Sequence, residues 1–260
     1  MVALLFFFIP VISAADPNSP HLHSGILNKY QRCHPSRYPD EKFSLTTEDL
    51  ALLYTGQAVL RVVSDRAHPS GARSSAAFVK DVAAPPGVVW DVLADFAGYP
   101  KHIDPIVACS VYERHRMLPA GEVVRAQYKV KIAPAICVQY FMEHRFEQLT
   151  KRSMTFHLDY GRCSDIPDCV GYWYVEPHMG GQHSRVFYAT DQILPGWIPA
   201  PIRSTFIRIG CNRATANLEP ACLIRLAERT ATSTTSQAKS WRQHLGSRIR
   251  QQFALHAKRS

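Results

Sequence analysis

The chain contains none of the short motifs that mark the common catalytic machines. There is no GxSxG nucleophile turn, no Walker phosphate loop, no GxGxxG dinucleotide turn and no HExxH zinc helix. No CxxC or HxxxH pair supplies metal-ligand spacing, so neither a metal nor another cofactor is expected. No apolar run reaches the ~18–20 residues needed to cross a bilayer as a helix. No repeat with a period of about 20–50 residues is visible. N-glycosylation acceptors are missing too: Asn18 is followed by Ser19-Pro20. The final stretch lacks acid. From Arg229 onward there are seven Lys or Arg and no Asp or Glu. Net charge is +9 over 260 residues, and this segment holds most of it. The remainder is close to neutral, so the basic balance does not mark the folded part as a nucleic-acid binder.

At the N-terminus, Val2 to Ile12 is apolar and Ser13-Ala14-Ala15 offers small residues for cleavage. Residues 1–15 therefore resemble a secretory leader, although no Lys or Arg precedes the apolar run. The expected destination is the secretory pathway or the extracellular space, with a plastid reached through such a leader as the alternative. Residues 16–44 read as a polar, Pro- and His-rich extension. The seven cysteines are odd in number, so at least one stays unpaired in a monomer. Cys163 and Cys169 flank a turn-rich segment and could close a small disulfide loop.

Thr46 to Val63 is expected to be helical, capped by Thr46 or Thr47, with Glu48 and Asp49 in its first turn. Residues 45–72 thus form a helix and turn leading into the domain. A strand is expected over Ala76–Val82, then a helix opened by Ala84-Pro85-Pro86, then a short helical turn near Tyr99. Strands dominate from there: Val107–Arg114, Glu122–Ile132, Ile136–Phe146, Ser153–Tyr160, Val170–His178 and Arg185–Ile193. In the second of these, Val124, Ala126, Tyr128, Val130 and Ile132 alternate with Arg125, Gln127, Lys129 and Lys131. That period of two predicts an antiparallel sheet with one wet face.

The stretch Ile198–Leu218 is predicted to form a long helix. Pro199 and Pro201 suit its first turn, and Pro220 is expected to stop it. Ser204, Thr205, Arg208, Asn212 and Thr215 fall on its outer face. Ile202, Phe206, Ile207, Gly210, Ala214 and Leu218 fall on the inner one, with Arg203 near the helix start. Residues 220–260 form a basic, Ser/Thr-rich tail. There Trp241, Leu245, Ile249 and Phe253 recur every fourth residue, as in an amphipathic helix that touches an anionic membrane surface.

The segment VAAPPGVVWDVLADFAGYPKHIDPIVACSVYE, residues 82–113, resembles the opening of START-like domains of the SRPBCC superfamily. These include polyketide cyclase/dehydrase and coenzyme Q-binding groups. LDYGRCSDIPDCVGYWYVEPH, residues 158–178, and SRVFYATDQILPGWIPAPI, residues 184–202, resemble a plant and algal lipid-transport subgroup. The resemblance implies an α+β helix-grip fold over residues 73–219. In it a curved antiparallel sheet wraps a long C-terminal helix, with two short helices after the first strand. It also implies an apolar cavity that takes a hydrophobic small molecule such as a lipid, isoprenoid or quinone. Placed on that fold, the candidate ligand-binding residues are Tyr128, Tyr140, Met142, His144, Phe156, Leu158, Tyr174, Tyr188, Ile202, Arg203, Phe206 and Gly210. A cyclase or dehydratase and a protein-interaction module are the alternatives. No catalytic residue is assigned: Asp159, Arg162, Asp165 and Asp168 read as a salt network at a turn. His144 reads as a cavity histidine held by a neighbour.

Overall fold

The computed structural model describes residues 45–68, 71–117, 121–134, 136–147 and 153–257. Residues 1–15, read as a leader, and residues 16–44, read as a polar extension, lie outside these residues. Eight strands form one antiparallel sheet in the order β1-β2-β8-β7-β6-β5-β4-β3. They span Val59–His68 (β1), Gly71–Val82 (β2), Ile106–Met117 (β3) and Gly121–Ala133 (β4). Ile136–Glu147 (β5), Ser153–Leu158 (β6), Asp168–His178 (β7) and His183–Pro195 (β8) complete the sheet. Helix α1, Thr47–Tyr54, precedes it. Helix α2, Pro86–Ala94, a 3-10 turn at Phe96–Gly98 and the short α3, Tyr99–His102, bridge β2 and β3. Helix α4, Ala200–Ala257, closes the chain. This is the helix-grip arrangement of a curved sheet around a C-terminal helix.

The first helix is shorter than its sequence suggests. Thr46 and Asp49 form the expected capping box, yet α1 ends at Tyr54, and Gly56 takes a left-handed backbone (φ 77°) just beyond. The run Val59-Leu60-Arg61-Val62-Val63 becomes strand because it finds a partner: Val59 lies opposite Val79 and Leu60 opposite Phe78. Branched side chains lose rotamer freedom in a helix and fit a pleated surface, so pairing wins. The sheet therefore begins inside the segment read as a lead-in, and the short helices follow the second strand. β2 likewise starts at Gly71, five residues before the expected Ala76, because it is hydrogen-bonded on both sides, to β1 and β8.

The sheet is buried on both faces over β2, β7 and β8. On the concave side, Phe78, Trp173, Val175, Val186 and Tyr188 join the main core with α2 and α4. On the convex side, Leu53 of α1 packs with Val59, Val79, Tyr172, Tyr174 and Phe187 in a second, smaller core.

Helix α4 does not stop at Pro220. Leu218, Ala221 and Cys222 are buried around it. One turn and two turns later, Arg225 pairs with Asp95 and Arg229 with Asp91, holding the helix against α2. Glu219 accepts from the Ala83 N–H at 3.1 Å and pairs with Lys80. A proline inside a helix forfeits one hydrogen bond and crowds the preceding turn. Here packing on both sides of the ring outweighs that loss. Thr215, expected outside, is buried and donates back to the Asn212 carbonyl at 2.8 Å. The helix backbone runs on through the basic tail. The side chains of Trp241, Leu245, Ile249 and Phe253 lie outside the described residues.

Candidate functional site

Between the concave face and α4 lies a cavity of about 160 Å³. Period-two alternation places its sheet wall. Tyr128 and Val130 of β4 face inward with Tyr140, Met142 and His144 of β5, since Tyr128 pairs with Tyr140 and Val124 with His144. Phe156 of β6 lies over Gly171 of β7. A Cβ at residue 171 would stand 2.4 Å from the Phe156 ring, so only glycine lets the ring settle there. Trp173 of β7 and Tyr188 of β8 follow, their ring centroids 4.5 Å apart. Tyr128 and Tyr140 stack at 5.4 Å with planes 10° apart. The lining is therefore broadly aromatic and carries no Lys, Arg, Asp or Glu.

Helix α4 supplies the opposite wall with Phe206, Ile207, Gly210, Cys211 and Ala214. Gly210 borders open space: an added Cβ would meet nothing within 4 Å. The segment Ile103–Ile106 completes the lining. Ile103, Pro105 and Ile106 are half-buried, as are Phe206, Gly210 and Ala214 across from them, and this marks the mouth. An exposed ion pair, Arg213 Nη1 to Asp104 Oδ2 at 2.5 Å, joins the two lips.

The polar groups are few. The Tyr128 hydroxyl lies 2.9 Å from His144 Nε2. His144 is 4% exposed, and its Nδ1 has no hydrogen-bond partner. Burial, assisted by the His157 charge behind it, pushes the His144 pKa down to about 3, against the opposing pull of Glu143. Burial pushes the Tyr128 and Tyr140 phenols up, and the Cys169 and Cys211 thiols up to about 12. At neutral pH all of these groups are uncharged. Thr190 and Gln192 add neutral polar groups on β8, and the Thr190 hydroxyl is 3.3 Å from the Val170 carbonyl.

The structure gathers Tyr128, Tyr140, Met142, His144, Phe156, Tyr188, Phe206 and Gly210 around this one cavity. Four candidates lie elsewhere. Tyr174 points to the convex side, since Trp173 has taken the inward parity. Leu158 is buried in the main core, and Ile202 packs at its edge. The Arg203 guanidinium donates to the Gly196 and Ile198 carbonyls and holds the turn before α4. Sequence reasoning missed Tyr99, Ile103, Pro105 and Ile106 as lining residues, along with Cys169, Thr190 and Gln192. For β8 a period-two count from Tyr188 would have found Thr190 and Gln192. Nothing periodic marks residues 103–106.

The acidic turn sits apart from the cavity. Tyr112 donates to Asp159 at 2.6 Å, Arg162 lies 4.1 Å over the Tyr112 ring, and Asp165 accepts from the Gln139 N–H at 2.6 Å. Tyr160 donates to Asp168 at 2.8 Å. These bonds strap the 159–168 loop to the sheet. Cys163 is exposed on that loop and Cys169 is buried beside the cavity, and both are free thiols. The small disulfide that their spacing allowed is therefore not formed: strand β7 begins at Asp168 and turns Cys169 inward, away from the loop. Among the described residues no group of His, Cys, Asp and Glu could hold a metal ion.

No curated protein matches the chain. Among solved structures it is similar to the Zhui aromatase/cyclase from Streptomyces sp. R1128, with 15% identity, 66% of this chain and 96% of that chain covered, and a TM-score of 0.46. A START superfamily protein from Mycobacterium smegmatis gives 13% identity, 63% and 94% coverage and a TM-score of 0.44. A STAR-related lipid transfer protein from Xanthomonas axonopodis gives 14%, 61% and 93%, and 0.42. Residues 82–205 match the family described as polyketide cyclase / dehydrase and lipid transport. That match spans most of the cavity's sheet wall and the first turn of α4.

Proposed function

We propose that the cavity binds one hydrophobic small molecule, a lipid, isoprenoid or quinone, and carries it without changing it chemically. The observation that supports this most directly is the uncharged, mainly aromatic chamber of about 160 Å³, bordered by the bare backbone of Gly210. Apolar walls of this kind stay dry and favour apolar guests. A cavity near that size accepts a single ring, so the rest of a longer molecule extends through the mouth between Ile103–Ile106 and α4.

The protonation states favour a carrier over an enzyme. A general base works best with a pKa near the operating pH. His144, held at about 3, accepts protons poorly, and the neighbouring phenols and thiols release them poorly. The basic C-terminal segment supports a second part of the reading, that the domain meets anionic lipid surfaces where such cargo resides.

Native mass spectrometry of the purified full chain, followed by organic extraction, tests the assignment. An apolar molecule at about one per chain is expected, released by extraction and taken up again on mixing. Protein that neither retains nor takes up any apolar molecule would remove the basis for a carrier.

A further inference from the structure

We propose that the Gln192 side chain selects a guest whose ring carries a neutral amide, a carboxamide or lactam in chemical class, over a ketone, a carboxylate or a plain hydrocarbon. This rests on the hydrophobic-binding reading above and names the kind of molecule that site takes.

Alternation along β8 puts this side chain on the chamber side. Leu194, two residues on, belongs to the main core, and Thr190, two residues back, lines the chamber as Gln192 itself does. Gln192 is 9% exposed. Among the described residues its amide has no hydrogen-bond partner, yet its polar atoms keep accessible surface, in contrast to the sealed Nδ1 of His144. Neighbouring polar groups are engaged elsewhere. Tyr128 and His144 bond each other, Tyr99 donates to the Leu93 carbonyl at 2.6 Å, and Thr190 donates to the Val170 carbonyl. Buried polar groups almost always have a partner, and an open one on the wall of a binding chamber points to the guest. Any guest that covers this amide must match it or leave it dry and unpaired, which weakens binding.

The carboxamide sets what the guest must offer. It holds an acceptor oxygen and a donor N–H side by side, and the group can turn end for end. A guest amide carries the same two groups side by side, so two parallel hydrogen bonds form in either orientation. A ketone or ether meets only the N–H, and a saturated chain meets neither. A lone hydroxyl engages one of the two with good geometry and leaves the other.

Charge narrows the class further. A carboxylic acid has the matching pair only while protonated, and at neutral pH it has lost its donor. The lining contains no Lys or Arg, so the resulting carboxylate would be buried without a cation. An amide enters neutral. The walls match a flat ring: Tyr128 and Tyr140 present stacked faces, and Phe156 and Tyr188 lie with planes 23° apart. The chamber, at about 160 Å³, is close to an engineered cavity of about 150 Å³ known to take benzene.

Calorimetric titration of the full chain at pH 7 with 4-methylbenzamide, 4-methylacetophenone, 4-methylbenzoate and p-xylene provides the test. The first three share a ring and differ only at the head: amide, ketone or carboxylate. The wild type is expected to prefer the amide to the ketone and to the carboxylate by about tenfold or more, and the preference over the ketone should vanish in Gln192→Met. Should that variant fail to fold, ¹⁵N-labelled glutamine in the wild type gives an independent reading. The Gln192 side-chain NH₂ resonances are expected to shift with 4-methylbenzamide and stay in place with p-xylene. If the preference is the same in wild type and variant, if the carboxylate binds as well as the amide, or if the NH₂ group responds alike to amide and hydrocarbon, the amide assignment is overturned. If the wild type takes p-xylene and refuses 4-methylbenzamide, the amide assignment falls while the carrier reading stands. If no compound binds the wild type, the amide assignment also falls, and the carrier reading then rests on what native mass spectrometry finds.

Discussion

Gly210→Leu is the substitution that most directly probes the chamber. Glycine in a helix interior costs about 1 kcal/mol relative to alanine, and leucine recovers most of that. Space beside Gly210 is open, with nothing within 4 Å of an added Cβ, so the new side chain need not displace a neighbour. Its four carbons would project into the cavity of about 160 Å³. Full burial of a leucine is worth about 1.5–3 kcal/mol, and about half of that is reasonable beside a half-open mouth. Together these give a stabilisation of about 1.5–2.5 kcal/mol, or roughly 3–10 °C in Tm for a domain of this size. Thermal unfolding of the empty protein measures the first effect. Titration with p-xylene measures the second, and uptake should be lost. Overpacking of a tight contact would instead destabilise by about 1–3 kcal/mol. A variant that melts several degrees lower, or one that melts higher yet still takes up p-xylene, would refute the argument that Gly210 guards the binding volume.

Two further outcomes follow from the charges. His144 has a folded pKa of about 3 against an ordinary 6.5, so between these values the unfolded chain binds a proton that the fold refuses. Stability is therefore intact above pH 6.5 and declines as pH falls through that window, by as much as about 4–5 kcal/mol. Glu143, hydrogen-bonded to His157 and to Arg145 and Arg125, is held below its ordinary 4.5 and adds loss in the same direction below that value. Urea midpoints measured between pH 6.5 and 4.5 should fall in the wild type and flatten in His144→Phe; parallel curves would mean that His144 is not the group refusing the proton. Removing residues 237–260 should weaken sedimentation with anionic vesicles, and salt should weaken the intact chain likewise, because surface attraction is screened over about 8 Å at physiological ionic strength. Equal vesicle binding by both forms would assign the membrane contact elsewhere.

Much of the sheet and one wall of the cavity could be read directly from the chain. In β4 and β5 one face is wet, so Tyr128, Tyr140, Met142 and His144 declare their side by alternating with Arg125, Gln127, Lys129 and Gln139. The stripe Phe206, Gly210 and Ala214 declares itself by helical spacing. In β7 that signal disappears. Residues 168–175 are buried on both faces, because α1 covers the convex side, so Tyr172, Trp173 and Tyr174 look alike in sequence. Only the register of β7 against β6 and β8 decided that Trp173 faces the chamber. The same holds where local preference met a distant partner. Val59–Val63 became strand because β2 was there to pair with it, and Pro220 stayed inside a helix because Asp91, Asp95 and Lys80 hold its two flanks. Ile103–Ile106 has no pattern of its own and became a lip of the mouth because α4 passes opposite and Arg213 reaches Asp104. Periodicity records which side of an element is dry. Which dry side meets which, and whether a space is left between them, depends on contacts between residues far apart in the chain.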